Sequence, residues 1–254
     1  MKDSKNVVLI TGAGAGIGKS LTEIYLNKNY LVLALDRNIS DLDTTNPNIK
    51  AFQCDLSKPK MRSELFKQLS ESYEVGLIIA NAGVGGVNPA YDFSIDLNNL
   101  FFQVNYFSVV ELINFFIPQM KKRGRGHICV ISSLASLRGM PQAASYSSSK
   151  SALNKTIESF RIDLNDSGIK FTNIMPGFIK TQMTNHNEFS MPFMINKNRA
   201  ASLIEKAISR EKRNYYFPKV MALLSLFNKF LPVFIFTFLM DRFASDKKKK
   251  PKTF

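Results

Sequence analysis

The sequence predicts an α/β protein built on a doubly wound parallel sheet with helices on both faces. Three observations lead there. Short apolar runs alternate with longer segments of helical period as far as about residue 175. The runs are apolar at nearly every position, as strands buried on both faces must be. The first run opens directly into a glycine-rich turn, Thr11-Gly12-Ala13-Gly14-Ala15-Gly16-Ile17-Gly18. With 254 residues, 45% of them hydrophobic and 21% charged, the chain suits one large globular domain.

Each element follows in order. Residues 6–11 (NVVLIT) form an apolar strand, and 17–27 carry Ile17, Leu21, Ile24 and Tyr25 at helical spacing. Residues 30–35 (YLVLAL) are a second buried strand, stopped by Asp36. Residues 49–54 make a third strand and 57–72 a helix. Residues 76–80 (GLIIA) are a fourth strand, ending in Asn81-Ala82-Gly83. Residues 97–122 carry a long helical pattern that Pro118 is expected to kink near its end. Residues 127–132 (HICVIS) are a fifth strand, and 145–167 a helix ended by Gly168. Residues 169–175 are a sixth strand, stopped by Pro176-Gly177. The domain is expected to cover residues 1–218, with 219–254 as an apolar arm ending in a lysine-rich tail.

Cys54 and Cys129 lie far apart in apolar runs, so no disulfide framework or zinc spacing can be drawn and a reducing compartment is expected. A strand pattern beginning at Asn6 leaves no room for a secretory leader, which points to the cytoplasm. His127 and His186 are isolated and lack a paired carboxylate pattern, so no metal site is expected. The net charge of +14 is uneven. Residues 1–194 carry 20 Lys/Arg and 16 Asp/Glu, a net of +4; residues 195–254 carry 14 and 4, a net of +10. The basic excess coincides with the most apolar segment and with no nucleic-acid motif, which favours a membrane surface over nucleic acid as a partner.

The glycine-rich turn sits between a strand and a helix. Its glycines let the backbone approach a pyrophosphate, and the helix N-terminus behind them favours negative charge. A turn without a ligand is the plain alternative. Tyr146 and Lys150, four apart on a helix, share one face. A nearby ammonium favours the phenolate, so the pair is expected to lower the tyrosine pKa and move a proton near neutral pH. Taken alone, such a pair is common surface decoration.

The order of motifs resembles the short-chain dehydrogenase/reductase family over about residues 5–217. It runs from Gly12-x3-Gly16-x-Gly18 through Asn81-Ala82-Gly83, Asn105 in the long helix and Ser133 after the fifth strand. It ends with Tyr146-x3-Lys150 and Pro176-Gly177 with Thr181. The resemblance implies a Rossmann-like fold and a hydride transfer between NAD(P)(H) and a hydroxyl/carbonyl pair. It implies Asn105, Ser133, Tyr146 and Lys150 as catalytic residues. Ser133 would hold the substrate oxygen, Lys150 the nicotinamide ribose, and Asn105 a water of a proton relay. The implied cofactor surface comprises Gly12, Gly14, Gly16, Ile17, Gly18, Asp36, Arg37, Asp55, Leu56, Asn81, Ala82, Gly83, Tyr146, Lys150, Pro176, Gly177, Ile179 and Thr181. Asp36 at the end of the second strand would receive the ribose hydroxyls of NAD and repel the extra phosphate of NADP. Arg37 could instead meet that phosphate, while Ala15 lacks the basic residue often found with it. Asp55 reads equally as an adenine contact or as a cap for the helix near Ser57.

Substrate contacts in the family come from loops that correspond here to residues 84–88, 134–142 and 182–194. The last holds Met183, Phe189, Met191, Pro192, Phe193 and Met194, an adaptable apolar wall or a lid packed on the core. A hydrophobic small molecule of lipid, retinoid or steroid type is therefore expected, acting with a protein that is a homo-oligomer. Residues 220–240 contain one charge, Lys229, and lysines 247–250 and 252 follow. A 21-residue helix would reach about 31 Å, but Asn228, Lys229 and Pro232 interrupt it. Peripheral membrane contact through residues 220–252 is one reading; a lid or an oligomer contact is the other. The rival function is a catalytically silent NAD(P)-binding sensor or scaffold of the same fold. Retention of all four catalytic positions favours the enzyme.

Overall fold

A computed structural model describes residues 7–181 and 191–245, with side chains to residue 241. The expectations for Asn6, Met183, His186, Phe189 and the lysines at 247–250 and 252 fall outside the described residues.

The first half runs β1 (Val7–Thr11), α1 (Gly16–Asn27), β2 (Leu31–Asp36), β3 (Ile49–Gln53), α2 (Pro59–Ser72) and β4 (Leu77–Ala80). Then come α3 (Ile95–Phe102), α4 (Ser108–Arg123), β5 (Gly126–Ile131), α5 (Ala144–Asp163) and β6 (Ile169–Pro176). The chain continues through β7 (Ile179–Lys180), β8 (Ile195–Asn196), α6 (Lys197–Ser209), β9 (Asn214–Phe217), α7 (Lys219–Phe230) and α8 (Val233–Ser245). Seven strands form one parallel sheet in the order β3-β2-β1-β4-β5-β6-β9; β7 and β8 pair separately.

Alternate side chains of each strand enter two cores. Val7, Leu9, Leu33, Ile78 and Val130 face Phe66 of α2, Leu112 and Phe116 of α4, and Leu153 and Ile157 of α5. Val8, Ile10, Val32, Ile79 and Cys129 face Leu21 and Tyr25 of α1 and Ala201, Ile204 and Ile208 of α6. Each such side chain, once buried, contributes roughly 1.5–3 kcal/mol. Two-sided burial is why the strands read as unbroken apolar runs. The strand order reverses between β1 and β4. A sheet of this kind leaves a crevice beyond the carboxyl ends of those two strands.

Two features were not foreseen, and one expectation holds. The sheet has a seventh strand, β9, and a preceding helix, α6, that were not foreseen. The β9 sequence NYYF is short and follows Lys212 and Arg213, so it lacks the apolar run that marks the others. The helix expected over 97–122 runs from Ile95 to Arg123, but it contains an unforeseen π-turn, Gln103–Phe107, and Pro118 stays inside α4. The turn inserts one residue without interrupting the apolar pattern. As the interruption at Pro232 led one to expect, the apolar stretch 220–240 divides at Leu231-Pro232 into α7 and α8, of 12 and 13 residues. Each is about 20 Å long or less at 1.5 Å per residue, short of a hydrocarbon core of ~30 Å. Among the described residues, the helical stretch long and apolar enough to cross a membrane is Ile95–Arg123. It packs Phe101, Val109, Leu112 and Phe116 inside the protein.

Candidate active site

The glycine loop closes against the ends of β2 and β4. Gly12 has φ +65°, and a Cβ there would meet the Ala82 Cα at 2.9 Å. A Cβ on Gly18 would lie 1.8 Å from the Gly12 carbonyl oxygen, so helix α1 can start this close to β1 only without a side chain. Asn81 stitches the floor: its Nδ2 donates to the carbonyls of Thr11 (3.0 Å) and Gly12 (3.2 Å). The main-chain N–H groups of Asn81 and Ala82 donate to Thr11 Oγ1. At the mouth, α1 begins after Ala15, which offers no side-chain cap, and its first turn holds no acid. Its leading N–H groups are thereby left for an anion. This uncapped cradle fits a dinucleotide pyrophosphate.

Asp36 lies beside the cradle, accepting from Gly14 N at 2.7 Å and from Asn38 N at 3.0 Å. Arg37 is exposed. Asp55 accepts from the Ser57 N–H (2.9 Å) and hydroxyl (2.7 Å), tying the turn before α2 rather than capping the helix itself, whose N-cap is Lys58. Burial alone would raise the Asp55 pKa, but the Ser57 hydrogen bonds and the charges of Arg37 and Lys58 leave it below the ordinary value. Leu56 is buried and Ile17 half-buried. Across the crevice, Thr181 Cγ2 lies 3.5 Å from where a Gly16 Cβ would stand, so the segment after β6 faces the loop. Pro176 and Ile179 are buried there, and Gly177 N donates to Phe217 O at 2.7 Å.

Two of the remaining expected residues, Asn105 and Lys150, meet at Gly83. A Cβ on it would lie 3.2 Å from Asn105 Oδ1 and 3.4 Å from Lys150 Nζ. Asn105, fully buried in the π-turn, accepts from Val84 N (2.8 Å) and donates to Val84 O (3.0 Å) and Ser149 Oγ (3.1 Å). Lys150 is 3% exposed and donates to Ile131 O at 2.7 Å. Tyr146, one turn earlier on α5, packs edge-on to Phe101 with ring centroids 6.2 Å apart. The Ser133 hydroxyl, which accepts from Ala135 N (3.1 Å), lies beside it. Burial lowers the Lys150 pKa to about 8. Burial raises that of Tyr146, and the Ser133 hydroxyl beside it only partly offsets this. The expectation that Lys150 would depress the tyrosine is thus corrected: desolvation of the phenol dominates.

Sequence reasoning missed the supports of this site. Arg62 of α2 is 4% exposed and pairs with Glu111 of α4 at 2.6 Å. Its Nη1 donates to Leu56 O (2.8 Å) and to Gln103 Oε1 (2.9 Å), the first residue of the π-turn. One side chain therefore ties the Asp55-Leu56 turn to the turn carrying Asn105. The segment after β5 rests on a polar chain in which Ser136 donates to Ser133 O and Asn154 Nδ2 to Ser136 Oγ (2.6 Å). Asn173 Nδ2 donates to Asn154 Oδ1 (2.9 Å). Buried polar side chains in apolar runs, Asn173 among them, were the available signal. Among the described residues, no group of three His, Cys, Asp or Glu side chains could hold a metal.

A family profile described as short chain dehydrogenase matches residues 6–190. The chain is 32% identical over 237 residues to an uncharacterized oxidoreductase of Myxococcus xanthus, covering 90% of this chain and 94% of that one. It is 29% identical to epidermal retinol dehydrogenase 2 of Homo sapiens, covering 98% and 89%. It is 30% identical over 190 residues to dehydrogenase/reductase SDR family protein 7-like of Drosophila melanogaster, covering 70% of this chain and 58% of the relative, little more than half its length. Among solved structures, 4-hydroxyisoleucine dehydrogenase complexed with NADH matches at a TM-score of 0.76 and 27% identity, over 83% of this chain and 96% of that one. A short chain dehydrogenase from Burkholderia cenocepacia in complex with NADP shares the fold, with a TM-score of 0.77 at 22% identity over 96% and 98%.

Proposed function

The chain belongs to the short-chain dehydrogenase/reductase family and is an NAD(P)-dependent oxidoreductase acting on a small-molecule alcohol or carbonyl; from that premise we propose that Asn105, Ser133, Tyr146 and Lys150 are its catalytic residues. One observation carries the reading: Asn105 and Lys150 meet at Gly83, one helical turn from Tyr146, which lies beside Ser133. NAD(P)(H), when bound, supplies or accepts the hydride. The Tyr146 hydroxyl gives a proton to the carbonyl oxygen in reduction and takes it back from the hydroxyl in oxidation. Ser133 holds that oxygen. Lys150 would hold the nicotinamide ribose, and Asn105 a water of the proton relay. Burial keeps Tyr146 protonated through neutral pH, which favours proton delivery to a carbonyl.

The cofactor surface in this reading is the glycine loop with Ile17, Asp36 with Arg37, Asp55 and Leu56, Asn81 to Gly83, and Pro176, Gly177, Ile179 and Thr181. The Asp36 carboxylate at the cradle supports NAD over NADP. A hydrophobic substrate is supported by exposed Val87, Met140 and Phe193 in the three loop segments and by Phe101 against Tyr146. The name of the human relative, a retinol dehydrogenase, points the same way. Residues 219–254 are read as an arm on a catalytic unit of residues 1–218. Its exposed Leu223, Phe227, Phe230, Phe234 and Phe238 support peripheral contact with a bilayer. Free, buried Cys54 and Cys129 support the cytoplasmic side. Exposed Ile95, Leu100 and Phe107 support a homo-oligomer. The test is a screen of aliphatic, steroidal and acyl carbonyls with NADH. Long apolar carbonyls should give the highest kcat/KM; consumption of none of them would contradict the reading.

A further inference from the structure

Arg138 lies in the segment between Ser133 and Tyr146, yet the hydrogen bonds of its side chain go to the C-terminal arm. Its Nη1 donates to the carbonyls of Asn228 (2.8 Å), Lys229 (3.2 Å) and Leu231 (2.8 Å). The last carbonyls of a helix have no partner within it. Helix α7 stops because Leu231 precedes Pro232 and is extended, at φ −63° and ψ 138°. Arg138 satisfies the carbonyls so freed and brings positive charge to the negative end of the helix. Its guanidinium also stacks over Phe236 of α8, with Cζ 4.4 Å from the ring centroid. Phe236 is 7% exposed, whereas Val233, Phe234 and Phe238 are at least 60% exposed. The corner between the two helices is therefore built around a side chain from the active-site segment.

A second seam lies beside it. Leu137 and Met221 pack with Leu134, Met175 and Ala222. A Cβ on Gly177 would meet Met221 Sδ at 2.9 Å. Helix α7 thus touches the turn that follows Ser133 and the end of β6 at once. The far end of the segment is held by the scaffold, through Asn88 N donating to Gln142 O (2.8 Å) and Asn88 Nδ2 to Ser145 Oγ (2.9 Å).

We propose that Arg138 is a substrate-positioning residue: it locks the corner of the arm to the segment 134–142, making the arm the outer wall of the substrate cleft and giving the enzyme its affinity for long apolar substrates. The proposal rests on the reading of Ser133 and Tyr146 as catalytic residues. A lysine at this place would keep the charge but lack the planar face over Phe236.

The test uses full-length Arg138→Gln and Arg138→Lys. Hydrogen exchange is followed in peptides covering residues 134–142 and 226–236, and KM and kcat are measured with NADH for decanal and butanal. Arg138→Gln should speed exchange in both peptides together. It should raise KM about tenfold for decanal and less than about twofold for butanal, with kcat and NADH affinity unchanged. Arg138→Lys should fall between. Faster exchange in residues 226–236 alone, no change in either peptide, or equal KM increases for the two aldehydes would overturn the proposal. A wild-type enzyme that consumes neither aldehyde would count against the catalytic reading instead, and the exchange result would still decide whether Arg138 couples arm and segment.

Discussion

Lys150 is buried and Tyr146 half-buried, and desolvation pushes their pKa values in opposite directions. The spacing of the pair was legible as one face of a helix; the burial of Lys150 was not, because the four serines around Tyr146 make that turn of the helix read as a surface face. Ser147 and Ser149 are in fact buried beneath it. Depth has a cost in stability. Lys150 falls from 10.5 in the open chain to about 8 when folded, so between those values the unfolded chain holds a proton that the folded one lacks. Stability therefore rises with pH from about 8 to 10.5, and below 8 the full penalty is present. Lys150→Met should raise the Tm at pH 7 by removing up to about 3 kcal/mol of penalty, less the loss at the Ile131 carbonyl. It should flatten the pH dependence and abolish turnover. Thermal melts at pH 7 and pH 10 check this, and a lower Tm at pH 7 would count against the buried-charge account. Asp36 is simpler: Asp36→Ala should narrow or reverse a preference for NADH over NADPH, read by titrating nicotinamide fluorescence. A wild-type preference for NADPH would mean that Arg37 prevails over Asp36.

The π-turn Gln103–Phe107 shows where element-level reading runs out. Hydrophobic period marks which residues face the core, and one inserted residue leaves that period almost intact. The inner strands β1, β2, β4, β5 and β6 were legible because burial on both faces demands apolar runs; β9, at the sheet edge with exposed Asn214 and half-buried Tyr215 and Tyr216, makes no such demand, and β3 at the other edge (IKAFQ) is only partly buried. The turn is fastened by Arg62, which joins α2, α4 and the π-turn. Arg62→Leu would leave Glu111 facing apolar neighbours and strip donors from Leu56 and Gln103. Removing one partner of a buried pair costs about 3–5 kcal/mol, and the lower end applies because Glu111 is 25% exposed. Urea unfolding should show that loss, with Arg62→Leu/Glu111→Leu recovering part of it. A single-variant cost below about 1 kcal/mol would mean that the pair does not hold the turn.

The molecule divides its chemistry between two ends. The motifs at the carboxyl ends of the strands were legible because glycine, asparagine and the Tyr-Lys pair have few other reasons to occur in that order. The arm was legible as apolar, basic and broken at Pro232, but its seat on Arg138 depends on contacts some ninety residues apart. Each Phe or Leu of the arm that enters a bilayer contributes roughly 1.5–3 kcal/mol when fully buried, and each nearby lysine about 1 kcal/mol on anionic lipid. The full chain should therefore co-sediment with anionic liposomes and lose much of that binding at high salt. Binding that ignores both lipid charge and salt would remove the lysines from the account, and no binding would favour the arm as lid or oligomer contact. The central claim remains the proton carried by Tyr146. Tyr146→Phe should bind NADH as the wild type does, by nicotinamide fluorescence, while carbonyl turnover falls by about 10²–10⁴-fold. Turnover within about tenfold of wild type, with the cofactor still bound, would contradict the assignment.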